Sequence, residues 1–351
     1  MSETPDRIGR LIDAAHRGED LSREDLAFLL SLSDEASLGA LETAANSARR
    51  EYVGDAVHLR GIVEFSNFCR QNCLYCGLRR DNRDVVRYRM DEDAVLAAVH
   101  GIRDKGIGTV VLQSGEDPAY TRGDLCRIVG RIKDETGLIV TLSVGERPRE
   151  DYRAFREAGA DRYLLKHETA SPDLYRRLRP GCTLEDRLRC LKDLRDLGYE
   201  VGTGNMVGLP GQTPEILAED LLLMRSLDAD MLGIGPFIPH PGTPLADEPG
   251  GDLAGTLRVL ALARLLTRNT NIPATTALGT LHPEGRIRAL RAGANVVMPD
   301  FTPESLRARY DIYPGKAAVP DGDVLLARLR EDLILLGRQI GKGPGGRSGP
   351  R

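Results

Sequence analysis

The chain has 351 residues, 41% of them hydrophobic, and a formal net charge of −4. Its 48 basic residues nearly balance 52 acidic ones, which argues against a large nucleic-acid footprint, since that needs a basic surface. No run of about 18 apolar residues is present, so no membrane span is expected, and the acid-bearing start "MSETPDRIGRLIDAAHRGED" lacks the apolar stretch of a secretory signal, which points to the cytoplasm.

Residues 1–50 read as an N-terminal helical cap. From 51 to 316, apolar β-branched runs alternate with amphipathic ones. The strand-like runs are "VHLRGIVEF" (57–65), "TVVLQSG" (109–115), "IVTLSVG" (139–145), "RYLLKHE" (162–168), "EVGTGNMVGL" (200–209), "MLGIGPF" (231–237), "NIPATTAL" (271–278) and "NVVMPD" (295–300). Between them lie helical patterns such as "DEDAVLAAVHGIRDKG" (91–106) and "TPEILAEDLLLMRSLD" (213–228), and several end on a glycine, as at Gly106, Gly159, Gly198 and Gly293. Eight strands joined by helical crossovers suggest an α/β fold, a (β/α)8 TIM-type barrel, with an open doubly wound sheet as the rival. Polar bursts follow every strand, so in a barrel all would face one mouth, where such folds carry their chemistry. Residues 317–342, with "GDVLLARLREDLILLGRQIGK" at 322–342, read as a C-terminal closing helix, and 343–351, "GPGGRSGPR", as a disordered tail.

Three of the six cysteines fall in "EFSNFCRQNCLYCGLRRDN" (64–82), spaced C-x3-C-x2-C just after the first strand. Soft thiolates in so tight a loop bind a [4Fe–4S] cluster or zinc. Structural zinc closes with four ligands, and no further Cys or His follows Cys76 within twenty residues. A cubane held by Cys69, Cys73 and Cys76 instead keeps one iron open to a small molecule. The outlying Cys126, Cys182 and Cys190 show no paired spacing and read as reduced thiols. "GLPGQT" (208–213) lacks the lysine of a phosphate loop and reads as a tight strand-to-helix turn. Met231 and Met298 read as core fillers.

The spacing, with aromatic Tyr75 before the last cysteine, resembles the signature of the radical S-adenosylmethionine (SAM) enzymes. That resemblance implies one oxygen-sensitive [4Fe–4S] cluster on the three cysteines, with SAM on the fourth iron. One electron would then release methionine and a 5′-deoxyadenosyl radical. "FCRQNCLYCGLRRDN", "VLQSGEDP", "RYLLKHETA", "MVGLPGQT", "GIGPFIPHPGTPLA", "NIPATTALGT" and "GANVVMP" together are similar to the HydE family of [FeFe]-hydrogenase maturases, over about Tyr52 to Lys316. The likeness implies an iron–carbonyl–cyanide–cysteine substrate supplied by HydG, a product passed toward HydF, and an electron donor such as a ferredoxin or flavodoxin. It implies SAM contacts at Tyr75, Ser143, Glu168 and Arg187. Substrate contacts are implied at Ser114, Arg162, Thr275, Thr276 and Tyr313. A guanidinium–carboxylate pair suits Arg187, whereas adjacent threonines alone would report only β-propensity.

There are two departures. Lys166 stands where HydE proteins often have arginine, and the two cations differ at a bidentate site. No cysteine follows near the C-terminus, so a second cluster is not supported. A radical SAM mutase resembling methylornithine synthase shares the barrel and loop and is the main alternative. An unknown HydE-like substrate and a non-enzymic metal-binding scaffold complete the set.

Overall fold

The structure, a computed structural model, describes residues 3–316, 322–347 and 349. The first barrel strand comes in two pieces, β1 (Ala56–Leu59) and β2 (Gly61–Ser66), broken at Arg60. There follow β3 (Thr109–Ser114), β4 (Ile139–Ser143), β5 (Arg162–Leu164), β6 (Glu200–Thr203) and, beyond a bend, β7 (Met206–Val207). β8 (Met231–Leu232), β9 (Gly235–Pro236), β10 (Val296–Val297) and β11 (Gln339–Ile340) complete the set. β2, β3, β4, β5, β6 and β8 pair in that order, all in parallel. Single bridges Met231–Asn271 and Pro273–Val296 carry the sheet onward, and His58–Val296 with Ile62–Asp300 return it to the first strand. The ring is closed as the eight-stranded barrel the alternation predicts.

The crossover helices start where the sequence supplies caps. Asp91, Thr121, Ser171, Thr183, Thr213 and Asp252 each accept a backbone N–H of the first turn. Gly106, Gly159, Gly198 and Gly293 all take positive φ just past a helix. The N-terminal helices α1 (Glu3–Arg17), α2 (Arg23–Ser31) and α3 (Glu35–Tyr52) lie on the barrel's flank. There α3 packs against the helix Leu253–Thr267 and α2 against Pro214–Ser226. Buried between α3 and the barrel, Leu253–Thr267 is inaccessible along its whole stretch from Thr256 to Leu265. Among the described residues, no helix is long and apolar enough to cross a membrane.

Three expectations need correction. The seventh strand shrinks to Asn271 and Pro273, because proline has no N–H to donate, and Thr276 already begins a helix running to Leu281. The closing helix spans Gly322–Leu335 rather than continuing to 342; the chain turns at Gly337 (φ +64°) and enters β11, which pairs with β1. Residues 317–321 lie outside the described residues.

The tail beyond it is ordered where described. The Pro344 carbonyl accepts from Thr109 Oγ1 at 2.9 Å and Arg162 Nη1 at 3.0 Å, and the Gly345 carbonyl accepts from Arg60 Nη2 at 3.1 Å. Arg347 Nη2 lies 2.7 Å from Asp228 Oδ1. Glycine composition suggested a linker, but here it permits close approach: a Cβ on Gly345 would fall 2.4 Å from His58 Cγ. The tail stops the end of the barrel opposite the mouth. Removing residues 343–351 strips carbonyl partners from two buried guanidiniums. It should therefore destabilise the chain by about 2–5 kcal/mol in denaturant unfolding, and an unchanged midpoint would refute the plug.

Candidate cluster and cofactor site

The cysteine loop leaves β2 at the mouth and is pinned on several sides. Arg70 N–H donates to the Glu116 carbonyl at 2.9 Å, Leu74 N–H to the Leu178 carbonyl at 2.9 Å, and Gly77 N–H to the Ile312 carbonyl at 3.0 Å. Arg87 staples it internally, donating to the carbonyls of Asn67, Leu78, Arg79 and Asn82. Gly77 has no alternative, since a Cβ there would lie 2.1 Å from the Asp311 carbonyl oxygen; at Gly115 it would lie 2.2 Å from that of Phe68.

Cys69, Cys73 and Cys76 line one cavity of about 240 Å³. Burial pushes their thiols up, that of Cys73 to about 11. Burial thus disfavours the free thiolates, and metal binding draws off their protons. Among the described residues no three His, Cys, Asp or Glu side chains converge on a point that could hold one ion. Three thiols on one cavity wall suit a cubane, which takes one thiolate on each of three irons.

The sequence-predicted Tyr75, Ser114, Ser143, Glu168 and Arg187 line the same cavity. Arg187 is buried; its Nε donates to Glu146 Oε1 at 2.7 Å and its Nη1 to the Lys166 carbonyl at 2.9 Å, while Nη2 has no hydrogen-bond partner among the described residues. Glu168 is held in the left-handed region at φ +67° by an N–H bond to Gly204 and a carbonyl accepting from Met206. Such a conformation costs a non-glycine residue about 1–3 kcal/mol and clusters at functional sites. Its buried Oε2 makes no hydrogen bond among the described residues, and Lys166 Nζ stands 3.6 Å away. Buried polar atoms without partners are rare in folded proteins, and here a carboxylate oxygen and a guanidinium nitrogen share one cavity wall.

Glu116 and Arg179, absent from the sequence-level candidates, complete the wall. Burial opposes ionisation of Glu116, but the Gln71 amide and the Arg179 and Arg187 guanidiniums outweigh it and hold the carboxyl low. The polar burst "QSGED" after the second predicted strand was the available signal for Glu116. Nothing in "RLRPG" distinguishes Arg179 from an ordinary surface arginine.

A second cavity, about 300 Å³, shares Tyr75, Cys76, Lys166 and Glu168 with the first. Thr275, Thr276 and Tyr313 line it, as expected, together with Phe237 and Met298, so Met298 is more than core filler. Ser114 belongs to the first cavity only. Sequence reasoning missed Glu64 and Lys316 here, paired at 2.6 Å. Burial raises the Glu64 carboxyl to about 8. A lone acid inside the apolar run "GIVEF" was the clue.

Arg162 requires correction as a substrate residue. It is the first residue of β5, at the barrel end away from the mouth, and lines neither cavity. Its Nε meets Glu200 at 2.7 Å, while Nη1 reaches Thr109 and Pro344. "GLPGQT" is the expected turn, with Gly208 and Gly211 at positive φ and Gln212 Oε1 accepting the Gly208 and Leu209 N–H groups.

The donor set fits a cluster held by three cysteines: the described wall carries no fourth cysteine and no histidine. Beside it, the orphaned Glu168 and Arg187 atoms suit the ammonium or ribose and the carboxylate of SAM. A family model for the Radical SAM superfamily matches residues 63–224. The [FeFe] hydrogenase maturase subunit HydE of Thermotoga maritima is 52% identical over 340 residues, covering 97% of both chains. The 3-methylornithine synthase of Methanosarcina acetivorans is 31% identical over 298 residues, 84% of this chain and 83% of that one. A crystal structure of methylornithine synthase superposes with a TM-score of 0.85 at 28% identity, over 95% of this chain and 97% of that one. One of HydG does so at 0.74 and 19% identity, over 85% and 69%, a likeness of fold alone. With its three-cysteine loop at the mouth of a closed barrel and this similarity over nearly its whole length, the chain belongs to the HydE family of radical SAM enzymes.

Proposed function

We propose that the chain is a HydE-type maturase. Its substrate is an iron–carbonyl–cyanide–cysteine compound on the way to the hydrogenase di-iron centre, received from HydG and passed on toward HydF. The observation that carries this reading is the pair of cavities joined along Tyr75, Cys76, Lys166 and Glu168. When bound, the reduced cluster with SAM supplies methionine and a 5′-deoxyadenosyl radical; the protein supplies position and dryness.

Cys69, Cys73 and Cys76 hold the cluster. Glu168 and Arg187 bind polar ends of SAM, with Ser143, Ser114 and Tyr75 along its length. In the inner cavity, Phe237 and Met298 exclude water, while the hydroxyls of Thr275, Thr276 and Tyr313 face the substrate. Thr275 stands at the N-cap of the helix that follows, but its side chain makes no capping bond there; its Oγ1 donates to the Ile234 carbonyl at 3.3 Å instead. Lys166 gives a point charge to both cavities in place of a forked guanidinium, which suits a compact anionic group. The greater identity to HydE than to 3-methylornithine synthase favours maturation over a carbon-skeleton mutase.

Glu168→Gln and Arg187→Ala should each weaken SAM binding roughly ten- to a hundred-fold, the loss of one charge-assisted hydrogen bond, without lowering iron content. Equilibrium binding to the reconstituted protein measures it, and unchanged affinity in both variants rejects the placement. Thr275→Val combined with Thr276→Val should keep the cluster and uncoupled SAM cleavage but abolish maturation in a reconstituted system with HydF and HydG. Full maturation by that variant would move the substrate elsewhere, and failure of the unmodified protein would favour the mutase.

A further inference from the structure

The segment from Cys69 to Arg89 holds six arginines against two aspartates, +4 in a chain whose total is −4, so the remainder carries −8. Several of these arginines are committed to structure. Arg87 staples the loop, and Arg89 binds the buried Asp117 at 2.7 Å while stacking over Phe68, with Cζ 3.6 Å from the ring centroid. Arg70 bonds Glu116 at 3.2 Å.

Arg80 and Arg83 are different. The Arg80 side chain is 62% exposed and pairs with Asp81, itself 52% exposed, a pairing of small energetic weight. Arg83 is exposed as well. Both lie on the turn that follows Cys76, and that turn is fixed to the cysteine loop. Arg80 N–H donates to the Gln71 carbonyl at 2.8 Å, and Asn72 Nδ2 to Asp81 Oδ2 at 2.7 Å. The loop thus presents thiols inward and solvent-exposed guanidiniums outward, held only by weak surface pairing.

We propose that this arginine-bearing outer face of the cysteine loop, with Arg80 and Arg83 at its centre, docks the electron donor, an acidic one-electron carrier protein of the flavodoxin or ferredoxin kind. The inference rests on the reading of the site as a radical SAM centre, which needs one electron from outside. The carrier is oxidised by one electron and the bound cluster reduced by one, and no bond is made or broken. Electrostatics direct the encounter: a negative carrier is repelled by the acidic remainder of the chain and attracted to the arginine-rich cysteine loop. Fields of this kind raise association rates by roughly ten-fold or more and fade as salt screens them.

The test pairs Arg80→Glu with Arg83→Glu, using an acidic flavodoxin as probe. At low ionic strength the double variant should bind oxidised flavodoxin at least about ten-fold more weakly than the parent, with the difference shrinking at high salt. SAM cleavage driven by reduced flavodoxin should fall in step, while cleavage driven by dithionite stays unchanged. Arg80→Lys with Arg83→Lys, which keeps the charge, should retain both, and Arg80→Gln with Arg83→Gln serves if charge reversal disturbs folding. Parental flavodoxin binding by the Glu or Gln pair would overturn the proposal. So would loss of maturation in that pair with donor-driven cleavage intact, which would assign the face to a maturase partner. Absence of dithionite-driven cleavage in the unmodified protein would overturn the radical SAM reading instead.

Discussion

A tripod of thiols works only if the loop carrying it is held rigidly while its fourth position stays empty. Cys69 and Cys76 are seven residues apart on a segment with no regular structure, and burial pushes all three thiols up. The rest of the mouth serves that constraint. The turn after β3 holds Arg70, the helix Pro172–Leu178 ends on Leu74, and the segment around Ile312 grips Gly77. The Gly77 and Gly115 contacts leave no room for any side chain. The chain closes the loop from three directions and leaves its inner face open.

That open face adjoins polar atoms that folding alone would not leave unpaired. A buried carboxylate oxygen of Glu168 and a guanidinium nitrogen of Arg187 each forgo about 1–3 kcal/mol of hydrogen bonding, and Glu168 carries backbone strain as well. Such costs persist where a ligand meets them. The second cavity lies past Cys76 and Tyr75, lined more by apolar groups and hydroxyls than by charge, apart from Lys166, Glu168 and the paired Glu64 and Lys316. On the function proposed above, a reactive species made in the first cavity would meet a substrate in the second before it meets water. At the far end of the barrel, the Pro344 and Gly345 carbonyls bind Arg162 and Arg60 and complete the enclosure.

Much of this was legible in the sequence because the strong signals were local. Period and capping residues gave the barrel, and C-x3-C-x2-C gave the cluster. The failures share one physical cause: they depend on what distant segments do. Arg162 was a substrate residue by family likeness alone, yet it opens β5 at the end opposite the mouth, where Glu200, Thr109 and Pro344 take its guanidinium. The glycine-rich tail read as a linker, although its lack of side chains is what lets it pass beneath His58. "PATTA" read as strand, whereas Pro273 cannot extend a ladder and the threonines begin a helix. Glu116, Arg179 and Lys316 gained meaning only once three separate loops met.

The central claim is one cubane on three cysteines with an iron left open for SAM. The most direct measurement is electron paramagnetic resonance of the anaerobically reconstituted and reduced protein, recorded with and without SAM alongside iron analysis. The account predicts about four irons per chain and a reduced-cluster signal that SAM alters. Stoichiometric zinc, about eight irons, or a cluster signal indifferent to SAM would contradict it.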